Sequence, residues 1–133
     1  MTGFLLDTNI PSETLRLVPE IKVASWLRTQ SQEDQFISVI TLGELRRGAT
    51  LLSPGARRTE FERFIDTTVQ IWFGPRILPI TRAIADRWGL LDAERQIAGK
   101  PLNIADGLIA ATAVEHDLGV VTRNVRDFMA RAS

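Results

Sequence analysis

The chain has no cysteine, one histidine (His116) and two lysines (Lys22 and Lys100) among 133 residues. Without cysteine there is neither a disulfide framework nor a thiolate metal site, and the composition fits a reducing cytoplasm. With one histidine, a zinc centre or a Ser-His-Asp hydrolase would have to be built around His116 alone. That residue falls where a helix is expected to end. No apolar stretch approaches the roughly 20 residues of a membrane span, and the N-terminal apolar run is short with no basic segment before it. A soluble, cytoplasmic protein with no membrane partner is expected. Carboxylates and arginines must carry any chemistry.

What is present points to one domain spanning residues 1–133, since 44% hydrophobic content suffices for a core at this length. Formal net charge is zero, yet 14 of the 16 basic residues are arginine. Arginine suits bidentate contacts to phosphate, although a GC-rich genome would produce the same bias.

The organising stretch is Phe4-Leu5-Leu6-Asp7-Thr8-Asn9, a short apolar run that stops at an acid and reads as a buried parallel strand. Residues 18–28 follow with apolar positions at helical spacing. A second strand is read over 35–40 and a helix from Thr41 to about Leu52. After the break at Ser53-Pro54-Gly55, residues 56–73 resume a helical pattern, forming an αα-hairpin with the preceding helix. Arg76–Ile80 reads as a third strand, Thr81 as the cap of a helix reaching about Ala98, and Asn103 as the cap of an alanine-rich helix over 104–116 that is buried on more than one side. Leu118–Thr122 is a fourth strand and 125–130 a last helical stretch. Short apolar strands alternating with helices predict an α/β fold with a mostly parallel sheet and right-handed crossovers.

Parallel sheets place ligands at the C-terminal ends of their strands, where strand order reverses. Asp7 ends strand one, Glu44 follows strand two, and Asn124 and Asp127 follow strand four, so these residues are expected to converge. Asp106 joins them if its helix points its N-terminus the same way. Carboxylates held together repel one another unless a cation neutralises them, and an oxygen-only set suits Mg²⁺ or Mn²⁺. Phosphodiester hydrolysis is the matching reaction class.

Each acid also has a purely structural reading. Thr41 to Glu44 and Asn103 to Asp106 both have capping-box spacing, Asp7 can close an Asx-turn, and Asp127 can serve a helix dipole. Arg46, Arg47, Arg57, Arg58, Arg123 and Arg126 can line a phosphodiester track or belong to a charge-balanced surface with Glu60 and Glu62. Trp26, Trp72 and Trp88 read as packing rather than base-stacking residues. A phosphoacceptor, receiver-like domain also clusters acids at strand ends. It needs a lysine closing a late strand, and neither lysine here follows an apolar β run.

Over nearly its full length the chain resembles the PIN-domain family, in particular VapC-type toxins of bacterial toxin–antitoxin pairs and their FitB-like branch. The resemblance is carried by Leu6-Asp7-Thr8-Asn9 with Ser12-Glu13, by Ser38–Thr41 with Gly43-Glu44-Leu45, by Ile104–Ala113 around Asp106, and by Val121-Thr122-Arg123-Asn124. It implies a three-layer α/β/α sandwich and an endoribonuclease using Mg²⁺ or Mn²⁺ on Asp7, Glu44 and Asp106. Asn124 stands where some relatives carry a fourth acid, and Asp127 lies one helical step later, so that position stays open between them. Relatives continue into one more edge strand, whereas this chain stops at Ser133, which leaves the fifth strand open. RNA is the implied substrate, with Arg46, Arg47 and Arg123 as candidate contacts. A cognate antitoxin, a homodimer through Trp26, the hairpin aromatics and the third helix layer, and operator DNA reached only through the antitoxin are the implied partners. The alternative is a weakly active subunit that works mainly within a DNA-binding toxin–antitoxin complex.

Overall fold

A computed structural model describes residues 3–8 and 21–121. Four parallel strands, β1 (Phe4–Leu6), β2 (Gln35–Ser38), β3 (Ile77–Leu78) and β4 (Gly119–Val121), form one sheet in the order β3-β2-β1-β4. The helices are α1 (Ile21–Thr29), α2 (Val39–Leu51), α3 (Ala56–Arg63), α4 (Gln70–Phe73), α5 (Arg82–Ile97) and α6 (Ile104–Glu115). This is the expected α/β/α arrangement. The final helical stretch and the position of a fifth strand fall outside the described residues.

Strand periodicity divides the apolar residues between two cores. Leu6 and Ile37 face a cluster with Leu45, Ala49, Phe64, Ile65, Val69 and Phe73, whereas Leu5 and Val120 face Ile109 and Ala113. The first core lies under α1, α2 and the hairpin, the second under α6. Right-handed crossovers produce this division, because the chain steps from β1 to β2 to β3 in one direction and then returns past β1 to β4. The reversal therefore lies between β1 and β4. Gly3 is needed at the entry to β1, since a Cβ there would stand 2.3 Å from the Asp34 carbonyl oxygen.

Three boundaries differ from the sequence expectation. Strand β2 stops at Ser38, whose hydroxyl accepts the Ile40 N–H at 3.0 Å, so the last strand residue is also the N-cap of α2. Val39 and Ile40, β-branched and apolar, were expected in the strand; a local cap outweighs their propensity. The third strand shrinks to Ile77–Leu78 because Gly74–Arg76 winds as a 3₁₀ turn and Pro79 offers no N–H to a ladder. The hairpin's second arm is not uniformly α-helical. Phe64–Val69 is a π-helical segment that turns Phe64, Ile65 and Val69 inward together.

The aromatics serve the core. Trp26 meets Phe4 edge-on at 5.2 Å, and Trp72 stacks on Phe73 at 4.6 Å while its indole N–H donates to Gln35 Oε1 at 3.0 Å. Trp26, Phe61 and Trp72 pack against the first core. All three remain half-buried. Among the described residues, the exposed large apolar side chains are Leu51, Ile71, Leu90, Ile97, Ile104 and Val114.

Candidate active site

Asp7 directly follows β1 at the point of strand reversal. Its backbone N–H donates to the Val121 carbonyl at 2.8 Å, extending the β1–β4 ladder by one residue, and its side chain is only 7% exposed. One carboxylate oxygen, Oδ1, accepts the Thr8 N–H at 2.8 Å. This local bond fixes the carboxylate at the edge of the sheet. By the β1–β2 register Asp7 stands level with Ser38, so the cap of α2 and the end of β1 are neighbours.

Glu44 reaches the same place from α2. The Thr8 hydroxyl donates to Glu44 Oε1, linking residues that are 36 apart in sequence. The capping-box reading of Glu44 fails because Ser38, not Thr41, is the N-cap. Thr41 lies inside the helix and Glu44 is free for another role. The acid that sequence spacing made ambiguous is thereby joined to the β1 edge.

Asp106 is where the capping alternative holds. Asn103 caps α6, its Oδ1 accepting the Asp106 N–H at 2.8 Å and its Nδ2 donating to Asp106 Oδ2 at 3.1 Å. Helix α6 runs back along the sheet into β4, so its N-terminus lies at the end of the sheet where Asp7 sits. Asp106 thus shares the edge with Asp7 and Glu44 while its carboxylate is held by its own cap. Among the described residues, no three His, Asp or Glu side chains are close enough to hold an ion between them. The Thr8 and Asn103 bonds hold Glu44 and Asp106 in separate positions. Asn124, Asp127, Arg123 and Arg126 lie outside the described residues.

The arginines of the hairpin are largely engaged in ion pairs. Arg46 pairs with Asp66, Arg57 with Glu60 at 3.5 Å and Arg58 with Glu62 at 3.5 Å. All are surface pairs of small energetic weight, so a phosphate can displace them. Arg47 is exposed. His116 is the exposed C-cap of α6, at the opposite end of that helix from Asp106.

Two residues at this edge escape sequence reasoning. Thr8 bridges Asp7 and Glu44, and Thr41 is fully buried with a hydroxyl that meets no partner among the described residues. In the sequence Thr8 is only the middle residue of Asp-Thr-Asn. A hydroxyl directly after a strand-ending acid is the signal that would have marked it.

Comparison with known proteins bears on the family and the fold. A family model described as PIN domain matches residues 4–132. The chain is 38% identical to Toxin FitB of Neisseria gonorrhoeae over 126 residues, covering 95% of this chain and 91% of that one. It is 36% identical to the VapC ribonuclease Y4jK of Sinorhizobium fredii, over 95% and 90% of the two chains. Among solved structures, FitAB bound to an IR36 DNA fragment superposes with a TM-score of 0.87 at 36% identity, covering 96% of this chain and 90% of that one.

Proposed function

The chain belongs to the PIN-domain family, and from that premise we propose that it is the toxin of a toxin–antitoxin pair, an endoribonuclease that hydrolyses RNA phosphodiester bonds with Mg²⁺ or Mn²⁺. The observation that carries this reading is the junction of Asp7 and Glu44 through Thr8 at the strand-reversal edge. Among the described residues Glu44 is not used to cap a helix, because Ser38 caps α2. Structural economy alone gives no reason to place two carboxylates against one threonine there.

The donor set fits a hard cation. It is all oxygen, and it has no cysteine or histidine competitor at that edge. Asp7, Glu44 and Asp106 would hold the ion, with Asn124 or Asp127 as the fourth position. The chemistry such an ion supplies is polarisation of a phosphate oxygen and activation of water at neutral pH. The residues supply the rest. Asp7 fixes the centre because its backbone is locked into the ladder and its Oδ1 into the Thr8 N–H. Thr8 holds Glu44 in position. Asn103 orients Asp106, and the N-terminus of α6 contributes a favourable field for the phosphate. Arg46, Arg47 and Arg123 would contact RNA, Arg46 by exchanging Asp66 for a phosphate.

A homodimer and an antitoxin partner accompany this reading, with operator DNA bound through the antitoxin. The alternative, a weakly active subunit serving mainly a DNA-binding complex, is favoured by the FitAB structure on DNA. One experiment separates them. Purified protein is assayed on RNA with Mg²⁺ or Mn²⁺ and with excess EDTA, beside Asp7→Asn. The toxin reading requires metal-dependent cleavage that EDTA stops and Asp7→Asn loses, while Asp7→Asn stays folded and still binds antitoxin. Cleavage that survives EDTA, or a fully active Asp7→Asn, would remove the nuclease assignment. Absence of cleavage with intact complex formation would support the alternative.

A further inference from the structure

Thr41 stands out among the buried polar groups of the chain. It is 0% exposed, and its Oγ1 has no hydrogen-bond partner among the described residues. A buried hydroxyl without a partner is destabilising relative to one that is satisfied. Valine has nearly the same shape and would avoid that cost. The position also offers the hydroxyl nothing local, since Ser38 already caps α2 and takes the Ile40 N–H.

Its surroundings explain why a hydroxyl is nevertheless there. Thr41 lies three residues after Ser38, which is level with Asp7, and three residues before Glu44, which takes the Thr8 hydroxyl. Residues three apart on a helix share a face. Thr41 therefore lies in the first turn of α2, one turn before Glu44 and one turn after the residue level with Asp7. We propose that Thr41 is a positioning residue of the acid site, its hydroxyl donating to a carboxylate oxygen of the Asp7–Glu44 pair when the two acids close on a divalent cation. The proposal rests on the nuclease reading above.

Closing the acids requires each carboxylate to be aimed, and groups that aim ligands change metal affinity or activity by roughly 10- to 100-fold when removed. In this role Thr41 does for the pair what Thr8 already does for Glu44. The donor is pre-placed in the dry interior, so it loses little freedom on binding.

The test compares wild type, Thr41→Val and Thr41→Ser as full-length purified proteins. Three quantities are read: the urea midpoint without metal, the Mn²⁺ concentration giving half of the metal-induced rise in Tm, and RNA cleavage. Thr41→Val is expected to match or exceed wild type in urea, to need about tenfold more Mn²⁺ or beyond, and to cleave at about a tenth of the rate or less. Thr41→Ser is expected to restore both to within about threefold. Wild-type Mn²⁺ response in Thr41→Val would overturn the proposal, as would a Thr41→Val that loses stability without metal. If wild type itself shows neither a Mn²⁺-induced Tm rise nor cleavage, the nuclease reading falls and this one with it. A loss confined to Thr41→Val leaves that reading intact.

Discussion

Asp106 separates a side chain's structural work from its chemical work more sharply than any other residue here. The cap of α6 consists of the Asp106 backbone N–H on Asn103 Oδ1, and the carboxylate takes part only through Asn103 Nδ2. Asn103→Ala should therefore cost about 1 kcal/mol of stability, the usual value of a lost N-cap. Asp106→Asn keeps the backbone bond and should cost clearly less, while cleavage is lost with the charge. Chemical denaturation of both variants beside an RNA assay checks the pair. Equal destabilisation with retained cleavage in Asp106→Asn would make the acid a cap and nothing more.

At the scale of elements, the strands, the hairpin and the caps of α5 and α6 were legible because each rests on local chemistry. Thr81 accepts the Ile84 N–H and Asn103 the Asp106 N–H, as the spacing implied. The start of α2 was misread because Ser38, Thr41 and the β-branched run between them offer two possible caps, and tertiary placement of Ser38 beside β1 decides between them. The π-helical segment Phe64–Val69 was not legible, since its extra residue per turn is imposed by bringing three apolar side chains onto one core. Partnership across the sheet was likewise invisible, which is why Thr8 was missed as the link to Glu44.

Helix α6 carries a prediction of its own. Gly107 follows Asp106, and a Cβ there would stand 2.9 Å from both Cδ1 and Nε1 of Trp88 on α5. In an open helix, glycine to alanine gains up to about 1 kcal/mol from propensity. Here the sign should reverse, because the indole or the helix must shift, and overpacking costs about 1–3 kcal/mol. Gly107→Ala should lower the urea midpoint and change tryptophan fluorescence, and cleavage should fall if α6 is displaced with Asp106 on it. A stabilised Gly107→Ala with unchanged fluorescence would show that α5 gives way freely.

For the whole molecule, the question is what covers α5. Trp26, Phe61 and Trp72 pack half-buried against the first core, and α5 buries only Ile84 fully. Leu90 and Ile97, seven residues apart and so on one face, are 62% and 87% exposed, and Ile104 at the start of α6 is 64% exposed. Large apolar side chains lined up along one helix favour association. Within the toxin reading, α5 is the surface through which two copies would meet, and mass measured by light scattering should rise with concentration through the micromolar range. A carboxylate placed in that seam must be desolvated twice in a symmetric dimer. Leu90→Glu and Ile97→Glu should each weaken association by about tenfold or more, equivalent to about 1.4 kcal/mol. Because both side chains are exposed in a single chain, the unfolding free energy measured in urea at dilution should stay within about 0.5 kcal/mol of wild type. Leu51→Glu, on the hairpin side, should leave the mass unchanged. A strictly monomeric wild type at high micromolar concentration would remove the dimer, and a dimer indifferent to Ile97→Glu would move it away from α5.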